Sequence, residues 1–198
     1  IKKHYELLRK AVRLGYSKNI KIHYNTNGTI MPPSDMFEIW NEFKHVEVMF
    51  SIDGINDKFE YMRHPAKWDI FNKTLNTFRQ KDFASVTLCH TISSFNIYYV
   101  DEFLQWAKQQ GFKTHEVYLN LLHYPDYESI SNLSVNVKDK IKQKLKGKEV
   151  DIVINFMYTS NNDLTKEFLD LVKRVDLIRG ENFAETFDEY NKICYNTE

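Results

Sequence analysis

The chain has 198 residues, and its 27 Lys and Arg balance its 27 Asp and Glu, so the formal net charge is zero. This length suits one domain of ordinary size. The balanced charge argues against nucleic-acid binding, which needs a basic surface. The sequence contains no apolar run of transmembrane length, and we expect no signal peptide. We therefore expect neither a nucleic acid nor a membrane among its partners.

Cysteine usage favours a reducing, cytoplasmic setting, because the chain contains only Cys89 and Cys194. Neither belongs to a CxxC motif or a Cys/His group, so we expect no self-contained zinc or iron–sulfur site. The sequence opens on Ile1 and runs directly into an amphipathic helical pattern. We expect that the chain starts inside a larger domain, and a processed terminus is the alternative.

Apolar spacing in the first two-thirds of the chain alternates between helical and strand periods. The predicted helices cover residues 3–14, 34–44, 68–81 and 99–110, and the predicted strands cover residues 20–26, 46–52, 85–93 and 115–122. Gly15 and Gly111 follow two of these helices, where a glycine C-cap is expected. Strands separated by helices predict right-handed βαβ crossovers and a parallel sheet.

The C-terminal third has a different pattern, which predicts an all-helical tail. Residues 134–148 are interpreted as a basic, solvated helix, and residues 163–178 and 182–193 also have helical spacing. The pattern over residues 148–157 fits either a helix or a strand. We place the boundary between the α/β domain, residues 1–134, and the helical extension, residues 135–198.

Each predicted strand has one apolar and one polar face. In "VEVMFSIDG", residues 46–54, the polar positions are Glu47, Ser51 and Asp53. An unpaired buried polar group costs about 1–3 kcal/mol, so the polar face must meet water or a polar ligand. A doubly wound sheet and a barrel filled by side chains fit this pattern poorly. The pattern predicts a wide or incomplete α/β barrel, here of about four parallel strands, with a solvated lumen. His90 lies on the apolar face, where we expect a core histidine.

The carboxyl ends of the predicted strands carry polar turns. They read "NTNG", "SIDG", "TISSFN" and "LLHYP" in chain order. Ligands of parallel α/β folds bind at this end of the strands. Each motif alone fits an ordinary turn, but the repetition at successive strand ends predicts a binding site.

The same motifs carry a resemblance to a known family. The order "YNTNG", "SIDG", an Arg in "FEYMRHPAKWD", and "HTISSFN" resembles the second half of a radical S-adenosylmethionine (radical SAM) enzyme core. The segments "LNLLHYPDYESISNL" and "INFMYTS" make it similar to the radical SAM proteins labelled as having a twitch domain. The resemblance implies a six-stranded partial barrel, of which this chain supplies the third to sixth strands. The family's CxxxCxxC loop and glycine-rich second-strand turn are absent from this sequence.

The resemblance implies that the strand ends bind S-adenosylmethionine. The residues that match cofactor-binding positions are Asn27, Ser51, Asp53, Arg63, Thr91, Asn96 and Leu122. Arg63 matches an arginine that pairs with the cofactor carboxylate, and its planar guanidinium suits bidentate binding. From the residues alone, a surface ion pair of Arg63 with Glu60 or Asp57 is an equal alternative.

The function implied by the resemblance is radical chemistry by a larger protein. The whole enzyme would bind S-adenosylmethionine and a 4Fe-4S cluster, generate a 5′-deoxyadenosyl radical and modify a small-molecule or peptide substrate. The cluster ligands would come from a missing N-terminal barrel half, in cis or in trans. His64, His123 and Tyr124 are candidates for the substrate mouth, and no catalytic residue is assigned. The alternative function is a non-catalytic α/β module that binds a nucleotide-like or polar small molecule in the lumen.

Overall fold

The computed structural model describes residues 2–195 and contains one parallel sheet. The strands are β1 (Lys21–Thr26), β2 (His45–Ile52), β3 (Ala84–Ile92) and β4 (Val117–Leu121). They lie in the order β1-β2-β3-β4, which matches their order along the chain. In the pairing of β1 with β2, Lys21 lies opposite His45 and Thr26 lies opposite Phe50. The predicted α/β class with a parallel sheet and a helical C-terminal region is confirmed.

Helices connect the strands and make up most of the C-terminal region. They are α1 (Lys2–Arg13), α2 (Ser34–Asn41), α3 (Asn56–Met62), α4 (Trp68–Arg79), α5 (Val100–Gln109), α6 (Val135–Lys144), α7 (Asp151–Met157), α8 (Thr165–Arg179), α9 (Phe183–Thr186) and α10 (Asp188–Tyr195). The sequence did not predict α3, a helix of two turns that begins soon after β2. The ambiguous segment over residues 148–157 forms a short 3-10 turn followed by α7. Within residues 2–195, none of the helices is both long and apolar enough to cross a membrane.

The predicted alternation of faces is confirmed. Along β2 the apolar residues Val46, Val48, Phe50 and Ile52 are at most 2% exposed, while each residue between them is only partly buried. The residues of β1 alternate between exposed and half-buried positions. The apolar side chains therefore lie on the covered face of the strands, and the polar side chains keep access to water.

His90 is a core histidine, as expected from its position on the apolar face of β3. It is 1% exposed and stacks on Phe103 of α5, with ring centroids 4.0 Å apart and ring planes 9° apart. In this parallel stack, the imidazole packs in the core as an aromatic ring.

The chain divides into two compact units. The first consists of residues 1–52, 66–89 and 114–118, and the second of residues 53–65, 90–113 and 119–198. The core of the first unit contains an aromatic group in which Phe50 contacts Phe71 and Phe78 edge to face. The core of the second unit contains Phe95, Phe168 and most of the buried residues of the helical tail. The predicted domain boundary at residue 134 stays a prediction.

The interpretation of residues 134–148 as a solvated basic helix is wrong for two of its lysines. Lys138 is 1% exposed, and its ammonium group donates to the carbonyl oxygens of Ser131 and Ser160 at 2.7 and 2.9 Å. Lys144 donates to the carbonyl oxygen of Tyr98 and to Asp101, each at 2.7 Å. Both lysines bind backbone carbonyl groups of other segments, a role that charge patterning along a helix does not reveal.

Candidate functional site

Two oppositely charged side chains meet after the end of β2. Asp53 follows the strand directly, and Arg63 is the C-cap residue that follows α3. The guanidinium Nη2 of Arg63 lies 2.7 Å from Asp53 Oδ2, and the two side chains are 21% and 14% exposed. Arg63 therefore pairs with Asp53, ten positions earlier in the sequence, a partner that the sequence analysis did not name.

Burial dominates the electrostatics of Asp53. It raises the pKa of the carboxyl group above the ordinary value of 3.8, and the Arg63 cation lowers that pKa without cancelling the effect of burial. A carboxylate in low dielectric surroundings is destabilised unless a cation or hydrogen-bond donors compensate. The Arg63 Nε atom is also buried and makes no hydrogen bond within the described part of the chain. The pair is thus a partly desolvated ion pair at a strand end.

Asn96 holds two strand ends together. It is 2% exposed, and its amide nitrogen donates to the carbonyl oxygens of Asp53 and Thr91, each at 2.8 Å. Its side-chain oxygen accepts a hydrogen bond from the Ser93 amide at 2.9 Å. Both amide N–H groups are therefore committed to backbone carbonyls, and Asn96 positions the turns that follow β2 and β3. Its predicted contact with a cofactor stays a prediction.

Thr91 and Leu122 lie at the ends of β3 and β4 within the second unit. The Thr91 hydroxyl is within 3.4 Å of the Asn120 amide nitrogen, and both residues are half-buried. The Leu122 amide donates to the Ile92 carbonyl at 3.0 Å, which extends the pairing of the two strands by one residue. We name Asp53, Arg63, Thr91 and Asn96 the strand-end cluster.

Asn27 and Ser51 belong to the first unit. Asn27 is exposed, and its side-chain oxygen accepts hydrogen bonds from the Thr29 amide at 3.3 Å and the Thr29 hydroxyl at 2.9 Å. Ser51 is half-buried on the polar face of β2. Gly28 adopts a positive φ of 65°, and a Cβ atom there would lie 2.8 Å from the Phe50 ring. The turn "NTNG" therefore depends on glycine both for its conformation and for its close approach to the core.

A small enclosed space lies beneath the strand-end cluster. Its volume of about 10 Å³ is close to the minimum for one water molecule. Its lining includes Asp53, Asn96, His90, Lys58 and Glu102. This cavity is too small for a cofactor.

The described residues do not fit an iron–sulfur cluster. Among residues 2–195, no three His, Cys, Asp or Glu side chains are grouped so that they could hold a metal ion. Cys89 lies in the first unit and Cys194 in the second, and burial raises the pKa of the Cys194 thiol to about 12. A thiol held in its protonated form is a poor metal ligand, because metals bind the thiolate.

Arg63 has the chemistry to bind the carboxylate of S-adenosylmethionine. Arg63 has N–H groups besides the one used on Asp53, and about a fifth of its side chain is exposed. Sequence reasoning missed the Asp53 partner. The signal in the sequence was an acidic residue, Asp53, at the start and a basic residue, Arg63, near the end of the short segment between β2 and the next predicted helix.

Comparisons with solved structures bear on the fold. The chain is similar to anSMEcpe, an anaerobic sulfatase-maturating radical SAM enzyme, with bound AdoMet and Cp18Cys peptide, at a TM-score of 0.50 and 17% identity. The match covers 90% of this chain and 44% of that chain. The same protein with AdoMet and Kp18Cys peptide gives a TM-score of 0.50 at 18% identity, over 90% and 44% of the two chains.

The chain has a radical SAM-like fold. It spans less than half the length of the solved structures that it matches. At this identity the likeness shows the fold alone, and the twitch-domain resemblance stays a prediction. No family model and no curated protein matches the sequence. The proposed function therefore rests on the strand-end residues.

Proposed function

We propose that the chain is the S-adenosylmethionine-binding portion of a radical SAM enzyme. The observation that carries the proposal is the strand-end cluster, in which the partly exposed Arg63 guanidinium is held by Asp53 at the carboxyl end of a parallel strand. This is the end at which parallel α/β folds bind ligands. Arg63 would bind the methionine carboxylate, and the half-buried Thr91 would face the ribose.

The proposal includes a second barrel portion with the cluster ligands. When bound together, S-adenosylmethionine and a reduced 4Fe-4S cluster supply a carbon-centred radical that abstracts hydrogen from a small-molecule or peptide substrate. Strand β1 supports this idea, because β2 is its only neighbour in the described sheet. An edge strand can accept a further strand along its free backbone groups. The first strands of the barrel, in cis or in trans, would occupy that edge.

Calorimetry on the 198-residue chain tests the binding role. We expect S-adenosylmethionine to bind and Arg63→Ala to weaken it by about tenfold or more, because a charge-assisted hydrogen bond contributes about 1.5–3 kcal/mol. The affinity for 5′-methylthioadenosine, which lacks the carboxylate, should not change in this variant. Arg174→Ala, at an exposed position of α8, is the matched control and should bind like the wild type.

The alternative function gives a different result in the same experiment. A non-catalytic module would bind an unrelated nucleotide more tightly than S-adenosylmethionine, and Arg63→Ala would weaken both ligands equally. A second assay tests the chemistry by co-expressing the upstream barrel portion, loading the cluster anaerobically and measuring 5′-deoxyadenosine. A fully loaded protein that releases none contradicts the enzymatic part of the proposal.

A further inference from the structure

The end of α8 lies against the segment that carries Arg63. Residues 61–64 close α3, and they belong to the same compact unit as residues 176–183, which form the turn from α8 into α9. Gly180 gives this turn its left-handed conformation, with φ of 66°. We name residues 176–183 the α8 turn. Its side chains contact the Arg63 segment on both sides of Arg63.

On the N-terminal side, the contact is with Tyr61. The Tyr61 hydroxyl donates to Asp176 Oδ1 at 2.9 Å, and the Arg179 guanidinium donates to the Tyr61 carbonyl oxygen at 3.0 Å. The last carbonyls of a helix lack intrahelical partners and favour cations. Arg179 therefore caps α3 one residue before its final position. Tyr61 is 3% exposed and packs edge to face on Phe183, so this contact lies in the core of the second unit.

On the C-terminal side, the contact is with His64. Its Nδ1 atom lies 2.8 Å from Glu181 Oε1. The Phe183 amide N–H also donates a bifurcated hydrogen bond to Asp176, 3.1 Å from Oδ1 and 3.0 Å from Oδ2, which closes the α8 turn on itself. The backbone of Arg63 is thus held between two residues that are each bound by the same turn.

We propose that the α8 turn, through Arg179, Asp176 and Glu181, positions Arg63 for its ligand, so that the helical tail sets the geometry of the carboxylate site. The inference rests on the proposed function, because it gives Arg63 the role of binding the methionine carboxylate. Arg179 and Asp176 are positioning residues, which act through Tyr61 and not by touching the ligand. Rigid support of this kind keeps a binding group within a narrow range of productive geometries.

A ligand-free measurement tests the positioning directly. The Arg63 Nε–H group is buried, so its NMR signal should exchange slowly with water in the wild-type chain. We expect Arg179→Ala and Asp176→Asn to speed that exchange by about tenfold, since the loss of one charged hydrogen bond opens the segment by that factor. Arg179→Lys should restore part of the protection, and Arg174→Ala should change nothing. Unchanged exchange in both Arg179→Ala and Asp176→Asn overturns the proposal.

A double-mutant cycle with S-adenosylmethionine separates positioning from general stability. Arg179→Ala should weaken binding by about tenfold in the wild-type background. In the Arg63→Ala background, the same substitution should leave the affinity unchanged. An equal loss in both backgrounds means that Arg179 acts independently of Arg63 and contradicts the proposal. If the wild-type chain does not bind S-adenosylmethionine, the proposed function fails. In that case the Nε–H exchange still decides whether the α8 turn positions Arg63.

Discussion

At the scale of single residues, the ion pair of Asp53 and Arg63 is the feature on which the proposed function rests. Both side chains are largely buried. Breaking a buried pair by removing one partner costs about 3–5 kcal/mol, because it leaves an uncompensated charge. Holding the pair in the folded protein therefore costs desolvation free energy, and partly desolvated charges of this kind cluster at functional sites.

Arg63→Met should raise the pKa of Asp53 further above 3.8, because burial remains while the compensating cation is lost. The folded-state pKa already exceeds the unfolded value. The stability that this group contributes is therefore present below the unfolded pKa and is lost as pH rises through the folded pKa. In Arg63→Met that loss should move to higher pH. Carbon-13 NMR titration of the Asp53 carboxyl measures the shift.

Arg9→Met is the control for this titration, because Arg9 forms an exposed ion pair with Asp35 in the first unit. It should leave the Asp53 pKa unchanged. An Asp53 pKa in Arg63→Met that equals or falls below the wild-type value would show that the guanidinium does not compensate the carboxylate.

At the scale of secondary-structure elements, the turns after the strands are determined by packing as much as by turn chemistry. Gly28 follows β1 with positive φ and lies against Phe50 and Phe71 of the first-unit core. Gly15 has a similar φ of 75° after α1, but a Cβ there would meet nothing within 4 Å. The two positions therefore share a conformational requirement and differ in the space available.

Gly28→Ala should destabilise the chain more than Gly15→Ala. Both substitutions impose the left-handed penalty of about 1–2 kcal/mol, and only Gly28→Ala adds overpacking of about 1–3 kcal/mol. Urea unfolding of the two variants isolates the packing contribution as their difference. Equal losses of stability would mean that the Phe50 and Phe71 rings move aside without cost.

At the scale of the whole molecule, positive and negative side chains are equal in number. The contribution of a charge to stability therefore depends on whether that charge is buried. Lys138 is the clearest case, because its ammonium group joins the loop before α6 to the loop after α7. Burial lowers its pKa below 10.5, while the nearby Asp163 raises it. A buried cation with backbone carbonyl partners stabilises the loops but costs desolvation.

Lys138→Met should lower the unfolding free energy by about 2 kcal/mol at neutral pH, because it removes the donor from one buried and one partly buried carbonyl oxygen. The folded-state pKa of Lys138 is depressed, so the wild-type chain gains stability as pH rises from that pKa to 10.5. The difference between wild type and variant should grow over this range. Denaturant unfolding at several pH values measures it.

The matched control is Lys140→Met, at an exposed position of the same helix. It should change stability by less than about 0.5 kcal/mol, as surface substitutions usually do. A Lys138→Met variant as stable as Lys140→Met would show that the two carbonyl hydrogen bonds contribute nothing net.

The sequence by itself determined the strands, the longer helices between them and the separation of a covered apolar face from a polar one, but not the short helix α3. Side-chain periodicity is a local property, so the alternation in β2 and the core position of His90 could be predicted residue by residue. The polar strand end at Asp53 could be predicted for the same reason, whereas Arg63 was named as a site candidate only through the family resemblance.

Only the tertiary structure decided which of these residues meet. Asp53 pairs with Arg63 across α3, and the Asn96 side chain donates to two carbonyl groups. Asp176, far along the chain, accepts a hydrogen bond from the Tyr61 hydroxyl. The burial of Lys138 was equally hidden in a run that has the charge pattern of a solvated helix. Such contacts depend on how distant segments pack and on which backbone carbonyls lack ladder partners, and neither property is encoded in local periodicity.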